Sequence, residues 1–96
     1  MDVLVTYDIA DTDGKGASRL RRVARVCEKY GERVQLSVFE CRLSATRLAR
    51  MMGEVQDILD ADTDSLIVYR FPGSIADSRT RFGRSQAHEI GTPWVL

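Results

Sequence analysis

The eleven residues Arg33–Leu43, RVQLSVFECRL, decide the fold. Apolar and polar side chains alternate at the start of this stretch, which is typical of β structure. Because eleven residues exceed the usual strand length of about 5–6 residues, the stretch forms either one long bent strand or two strands in close succession. No Gly or Pro within it marks a hairpin, so both alternatives stay open.

The segments before this stretch predict a strand and a helix. Val3–Ile9, VLVTYDI, is a continuous apolar run of the kind found in central strands. From Ala17 to Tyr30, apolar side chains recur at helical spacing, which predicts an amphipathic helix. Ser18 is its predicted N-cap, and Gly31 occupies the position of a C-cap glycine.

The segments after it predict a second helix and a further strand. Ser44 is the predicted cap of a helix that ends near Leu59, and Ser65–Phe71 is the next strand. If the central stretch supplies two strands, the chain has an α+β, ferredoxin-like βαββαβ sandwich. Residues 1–73 would be its core and residues 74–96 a C-terminal extension, in which the apolar tail 94–96 is predicted as an edge strand on its own or a partner chain.

The charges are balanced in number and uneven in position. Fourteen basic residues match fourteen acidic ones, and twelve of the basic residues are arginine. Residues 1–50 carry a net charge of +3, residues 51–69 carry −5 and residues 70–96 carry +2. A neutral chain of this kind can still present a basic surface, and the first predicted helix has one in Arg19, Arg21, Arg22 and Arg25. Such a face is held in salt bridges, solvated or bound to an anion.

Other global signals exclude several classes of protein. No apolar run approaches the roughly 18 residues that a membrane span needs, and the start of the sequence lacks a signal peptide's basic segment. The two cysteines have no metal-ligand spacing and are too few for a disulfide scaffold, so we expect reduced thiols and a cytoplasmic protein. Cys27 lies in the apolar stripe of the first helix, which predicts a core residue.

The strongest catalytic candidate is the pair Tyr7-Asp8 at the end of the first strand. Polar side chains at strand ends are where sites are commonly built in such sheets, although an acidic residue there is also a common start of a turn. Asp11 and Asp13 follow on a glycine-containing loop and are expected to be solvated.

Three stretches together resemble CRISPR-associated protein 2, the small subunit of the spacer-acquisition module. They are VLVTYDI at residues 3–9, YGERVQLSVFE at residues 30–40 and DSLIVYR at residues 64–70. The resemblance covers roughly residues 1–71. The glycine-containing opening of the first helix and Cys41 after Phe39-Glu40 are most similar to members from type I-C systems.

The resemblance implies a homodimer and a set of site residues. Asp8 matches the family's metal-binding aspartate and would hold Mg²⁺, with Mn²⁺ as the alternative, and Tyr7 matches the adjacent aromatic residue of the catalytic motif. Arg33 matches the arginine of the family's RVQ string, and Phe39 matches the phenylalanine of SVFE as a supporting residue. The four first-helix arginines match the family's basic first helix only as a cluster, and with Arg33 they are the expected nucleic-acid-binding residues. The implied partners are the integrase subunit of CRISPR adaptation and duplex DNA or RNA. The resemblance implies no membrane partner.

Three functions follow as hypotheses. The preferred one is a dimeric duplex-DNA-binding protein of CRISPR adaptation that is also a metal-dependent endonuclease. The second is a catalytically inactive scaffold that bridges DNA by phosphate contacts. The third is a toxin-like ribonuclease of the same fold, and a small-molecule-binding regulator lies outside the resemblance.

Overall fold

A computed structural model describes residues 1–83 and gives the element order βαββαβ. The strands are β1 (Asp2–Asp8), β2 (Glu32–Gln35), β3 (Val38–Arg42) and β4 (Ser65–Phe71). The helices are α1 (Gly16–Tyr30) and α2 (Ala45–Ile58), and a 3₁₀ turn covers Ala76–Ser78. The strands form one antiparallel sheet in the order β2-β3-β1-β4. The central stretch therefore supplies two strands, and the predicted α+β fold is confirmed.

Both helices pack on one face of the sheet. Alternate residues of β1 point to that face, where Val3 and Val5 are fully buried. The core also contains the following buried residues of the other elements: Val23, Cys27, Phe39, Cys41, Leu48, Met51 and Val55. The prediction of a core position for Cys27 is confirmed, and burial raises the pKa of the Cys27 thiol to about 11. Both cysteines are free thiols.

The start of α1 differs from the prediction. The helix begins at Gly16, so Ser18 lies inside the first turn and its prediction as N-cap is wrong. The preceding loop supplies the stabilising contacts instead, since the backbone carbonyl of Asp11 accepts hydrogen bonds from the amides of Gly14 at 3.0 Å and Gly16 at 2.8 Å. Ser44 does cap α2, because its hydroxyl accepts a hydrogen bond from the Arg47 amide at 3.2 Å.

The opposite face of the sheet, on which residues 1–83 place no α-helix, is covered at one end by the chain after β4. Ile75 is buried there, and its amide donates to the buried Asp2 carboxylate at 3.0 Å. The Arg79 guanidinium binds the buried Glu40 carboxylate at 2.8 and 3.1 Å. The start of the predicted extension thus folds back onto the sheet, while the predicted edge strand at 94–96 lies outside the described residues.

Gly31 ends α1 where the sequence predicts, for a steric reason. Its backbone is extended, with φ −160°, a conformation that any residue can adopt. A methyl group at this position, however, would lie 2.3 Å from the Cys41 Sγ atom and 2.5 Å from the Glu40 carbonyl oxygen. The close approach of helix end and strand therefore requires glycine.

We expect Gly31→Ala to lower the free energy of unfolding by about 1–3 kcal/mol, because the added methyl group overpacks a site bounded by the Cys41 side chain and the Glu40 carbonyl. Gly53→Ala is the matched control, since a methyl group at this α2 position meets nothing within 4 Å. It should raise stability by about 0.5–1 kcal/mol, because alanine favours a helix interior. Urea denaturation of the two variants checks both signs, and equal effects would contradict the steric explanation.

Candidate functional site

Asp8 is the last residue of β1 and points to the open face, the face of the sheet opposite α1 and α2. It is exposed and stands opposite Ser65, the first residue of β4. Its carboxylate makes no hydrogen bond or ion pair within residues 1–83. An exposed carboxylate without a partner is available to a ligand.

Tyr7 lies on the other side of the sheet from Asp8. Its ring is buried and stacks with the Phe39 ring at a centroid distance of 6.2 Å, and its hydroxyl donates to the Leu36 carbonyl at 3.3 Å. Burial raises the pKa of Tyr7 above its ordinary value. In this position the Tyr7 side chain holds the turn between β2 and β3 and does not share a face with Asp8.

Arg33 also lies on the helix side, next to Phe39. The two residues pair across β2 and β3, and the guanidinium carbon is 5.1 Å from the centre of the Phe39 ring. Arg33 forms an ion pair with Glu28 at 3.4 Å. Its Nε atom is buried and has no hydrogen-bond partner among the described residues. The fully buried Phe39 thus supports both Tyr7 and Arg33, as a residue of the core.

The four predicted arginines of the first helix divide into two groups. Arg21, Arg22 and Arg25 are exposed, and their side chains make no hydrogen bond or ion pair within the described part of the chain. Arg19 instead pairs with Asp64, with 2.8 Å between its Nε atom and the carboxylate. The Asp64 side chain is fully buried in this pair. The structure therefore separates Arg19 from the exposed set.

Sequence reasoning missed Asp64 as a partner of Arg19. The two residues are 45 positions apart, and no local pattern joins them. The resemblance did contain the aspartate, in the stretch DSLIVYR, but without a role. Hydrogen bonds from Arg19 and from two backbone amides hold the pKa of Asp64 far below its ordinary value of 3.8.

This low pKa predicts acid sensitivity. A carboxylate whose pKa is depressed on folding stabilises the fold above its unfolded pKa, and that stability is lost as the pH falls below about 4. We therefore expect the melting temperature of the wild type to fall more steeply than that of Asp64→Asn between about pH 5 and pH 2. Thermal unfolding followed by circular dichroism checks this, and parallel curves would contradict it.

The described residues offer one acidic donor at the strand end. Within residues 1–83, no group of three or more His, Cys, Asp or Glu side chains lies close enough to hold a metal ion. Asp11 has a left-handed backbone, with φ +54°, and its carboxylate accepts a hydrogen bond from the Lys15 amide at 3.1 Å. Asp13 is exposed. Among residues 1–83, only the Asp8 carboxylate is thus brought to the open face at this end of β1.

These features define a class: a small βαββαβ protein with an unpartnered aspartate at the end of its first strand and an arginine-rich first helix. The family model described as CRISPR associated protein Cas2 matches residues 1–76. The chain belongs to the Cas2 family. Within residues 1–83, no helix combines the length and the apolar character needed to cross a bilayer.

Curated relatives match over most or all of the chain. A protein of Halalkalibacterium halodurans named CRISPR-associated endonuclease Cas2 is 36% identical over 96 residues, which is all of both chains. A protein of Chlorobaculum tepidum named CRISPR-associated endoribonuclease Cas2 is 43% identical over 74 residues, covering 77% of this chain and 76% of that protein. The homologues are thus named as endonucleases of the CRISPR system.

Solved structures have the same fold. The crystal structure of Streptococcus pyogenes Cas2 at pH 6.5 has a TM-score of 0.77 and 37% sequence identity, covering 86% of this chain and all of that one. A hypothetical protein of Thermus thermophilus has a TM-score of 0.71 and 34% identity, covering 86% of this chain and 90% of that one. The β-sheet and helices described above are therefore those of the family.

Proposed function

We propose that the chain is a cytoplasmic, homodimeric, Mg²⁺-dependent endonuclease of CRISPR spacer acquisition that cleaves phosphodiester bonds of RNA or duplex DNA. The observation that carries the proposal is the exposed carboxylate of Asp8 at the end of β1, which has no partner within residues 1–83, in a chain of the Cas2 family. The endonuclease and endoribonuclease names of its relatives support the reaction class.

The donor set at the site fits a hydrated metal ion held between two chains. Mg²⁺ commonly binds one or two protein carboxylates and keeps several waters. Asp8 of each protomer would hold the ion, which would supply an activated water for attack on the phosphodiester. Asp8 is exposed on the open face, so a partner that covers this face can bring a second copy close to it.

The open face supports a dimer through its apolar side chains. Leu4 of β1 pairs with Tyr69 of β4, and Thr6 pairs with Ile67. Ile67 and Tyr69 are 44% and 49% exposed in the single chain. Leu4, Ile67 and Tyr69 form an apolar strip on the open face. Such a strip on an exposed sheet face is typical of an interaction surface. We therefore propose that the strip joins two copies of this chain.

The test of the proposed function is cleavage of matched RNA and duplex DNA with Mg²⁺ by the wild type. Cleavage of either substrate, dependent on Asp8, supports the endonuclease. Marked preference for single-stranded RNA without any duplex binding supports the toxin-like ribonuclease of the same fold instead. If neither substrate is cleaved and duplex binding is intact, the result supports the catalytically inactive scaffold that bridges DNA.

The exposed arginines favour duplex DNA binding as a second function, with or without cleavage. Arg21, Arg22 and Arg25 lie on one helix without ion pairs among the described residues, and arginine is suited to phosphate. Such contacts neutralise the backbone and read no sequence. The proposed partner in this role is the integrase subunit, and the glycine at the start of α1 together with Cys41 supports a type I-C system.

Replacing Arg21, Arg22 and Arg25 together by glutamine should weaken duplex DNA binding about 30-fold near physiological salt. Because each phosphate contact contributes about 0.9 to the slope of log affinity against log salt, the slope should fall by about 3. Fluorescence anisotropy across a salt series measures both. Asp57→Asn, an exposed position on α2, controls for general effects of surface substitutions. Undiminished binding by the triple variant would rule out the α1 surface.

A further inference from the structure

Asp64 makes an unusual number of hydrogen bonds for a residue in an acidic loop. Its Oδ1 atom accepts from the Ala10 amide at 2.9 Å, and its Oδ2 atom accepts from the Asp60 amide at 2.9 Å. The Arg19 guanidinium donates to both oxygens, from Nε at 2.8 Å and from Nη2 at 3.3 Å. The Thr63 hydroxyl is a fifth, more distant donor, at 3.5 Å from Oδ1. The side chain is fully buried, so the carboxylate has exchanged water for these donors.

The same ion pair fixes both polar groups of the Ala10 backbone. While Asp64 accepts from the Ala10 amide, the Nη2 atom of Arg19 donates to the Ala10 carbonyl at 3.3 Å. The carbonyl is also held by packing, because a methyl group on Gly16 would lie 1.8 Å from its oxygen. The left-handed residue Asp11 follows directly, so the chain turns sharply at this point.

Ala10 and Asp64 flank the candidate carboxylate. Ala10 comes two residues after Asp8, and Asp64 directly precedes Ser65, the residue opposite Asp8 in the sheet. The register of β1 with β4 ends at this pair, so strand pairing with β4 does not hold the chain beyond it. Beyond the last strand pair, the Arg19–Asp64 ion pair connects the chain that follows β1 to the start of β4.

We infer that Arg19 is a positioning residue for Asp8, acting with Asp64 through the backbone of Ala10, and not a phosphate contact like Arg22. The inference rests on the proposed function for the role of Asp8. The inference assigns different roles to Arg19 and Arg22, which lie three residues apart on α1. A positioned carboxylate matters because small displacements of a reacting group cost large factors in rate.

The experiment compares Arg19→Gln and Asp64→Asn with Arg22→Gln, an exposed arginine of the same helix. We expect Arg19→Gln and Asp64→Asn to lower kcat for Mg²⁺-dependent cleavage about 10-fold or more with KM nearly unchanged. Arg22→Gln should raise KM with kcat nearly unchanged. The salt slope of duplex DNA binding should fall by about 1 in Arg22→Gln and stay unchanged in Arg19→Gln.

Hydrogen exchange gives a readout that needs no cleavage. The Ala10 amide should exchange at least about 10-fold faster in Arg19→Gln and Asp64→Asn than in the wild type, while the Val5 amide in the centre of β1 keeps its rate. If Arg19→Gln does not fold, Arg19→Lys is the variant in which exchange of the Ala10 amide is measured. It keeps the charge, but one ammonium group cannot reproduce the forked contacts to Asp64 and the Ala10 carbonyl, so exchange at Ala10 should still accelerate.

The outcomes separate the two hypotheses. If Asp8→Asn cleaves like the wild type, the proposed function fails, and the exchange and salt-slope measurements still decide whether Arg19 fixes Ala10 or binds phosphate. If Asp8→Asn is inactive and Arg19→Gln keeps kcat, the positioning role is wrong. A salt slope that falls in Arg19→Gln as in Arg22→Gln, or an unchanged exchange rate at Ala10, overturns it as well.

Discussion

Asp8→Asn is expected to lower kcat/KM for Mg²⁺-dependent cleavage at least about 100-fold, equivalent to about 2.7 kcal/mol of transition-state stabilisation. Asparagine keeps the size of the side chain and removes the negative charge. In a dimer that shares the ion, each substitution removes two carboxylates from one site, which is why the expected loss is large. Quantified cleavage of labelled RNA and duplex DNA over a Mg²⁺ series measures it.

The fold should not change in this variant. Asp8 is exposed and makes no hydrogen bond or ion pair within residues 1–83, so the melting temperature should remain close to that of the wild type. Asp57→Asn, which removes an exposed charge on the helical side, is the matched control for net charge. If Asp8→Asn cleaves both substrates at the wild-type rate, the metal site lies elsewhere.

The same variant separates catalysis from assembly on DNA. The Asp8 side chain lies on the open face and the exposed arginines lie on α1, so duplex binding should survive the substitution. A variant that binds DNA, fails to cleave it and still supports spacer integration would show that cleavage is dispensable for that process. A variant that loses binding as well would place Asp8 in the nucleic-acid interface.

Local patterns were sufficient for most of the fold. The helical spacing in α1, the Ser44 cap and the apolar runs of β1 and β4 each depend on near neighbours in the chain, and all four predictions are confirmed. The division of the central stretch into β2 and β3 does not follow from local sequence. Its turn falls at Leu36-Ser37, without Gly or Pro, and is held in part by the distant hydroxyl of Tyr7.

Contacts between distant residues were not predictable from local sequence. The charge pattern groups Arg19 with Arg21, Arg22 and Arg25. In the structure, Arg19 forms an ion pair with the buried Asp64 carboxylate instead. The fold-back of the chain onto the open face depends on Asp2, Glu40 and Arg79, which lie up to about 77 positions apart and follow no periodic pattern. The opposite directions of Tyr7 and Asp8, in contrast, follow directly from strand alternation.

This alternation also decides how two copies of the chain can meet. Asp8 shares the open face with Leu4 and Thr6, and therefore with Ile67 and Tyr69, their neighbours on β4. The fold-back at Ile75 covers the other end of this face, where Asp2 and Glu40 are buried. The apolar strip that remains lies on the Asp8 side. A two-fold dimer through this strip would thus bring the two carboxylates toward one another.

Replacing Ile67 and Tyr69 together by glutamate should raise the dimer dissociation constant at least about 100-fold. Because about half of each side chain is exposed before association, burying it contributes about 0.7–1.5 kcal/mol per residue. A two-fold axis would also place the new charges opposite their own copies. Because both residues are already 44% or more exposed in the single chain, the fold itself should be little affected. Sedimentation velocity over a concentration series measures the shift from dimer to monomer.

Ala49→Glu on the exposed side of α2 is the matched control, since it adds a negative charge away from the sheet. It should remain dimeric. The glutamate variant should also lose Mg²⁺-dependent cleavage although Asp8 is intact, because the described part of one chain would supply a single carboxylate to the proposed site. A variant that is monomeric and still cleaves would contradict the shared site, and one that stays dimeric would place the interface on another surface. Dimer formation and cleavage are therefore expected to be lost together, since both depend on the same face of the sheet.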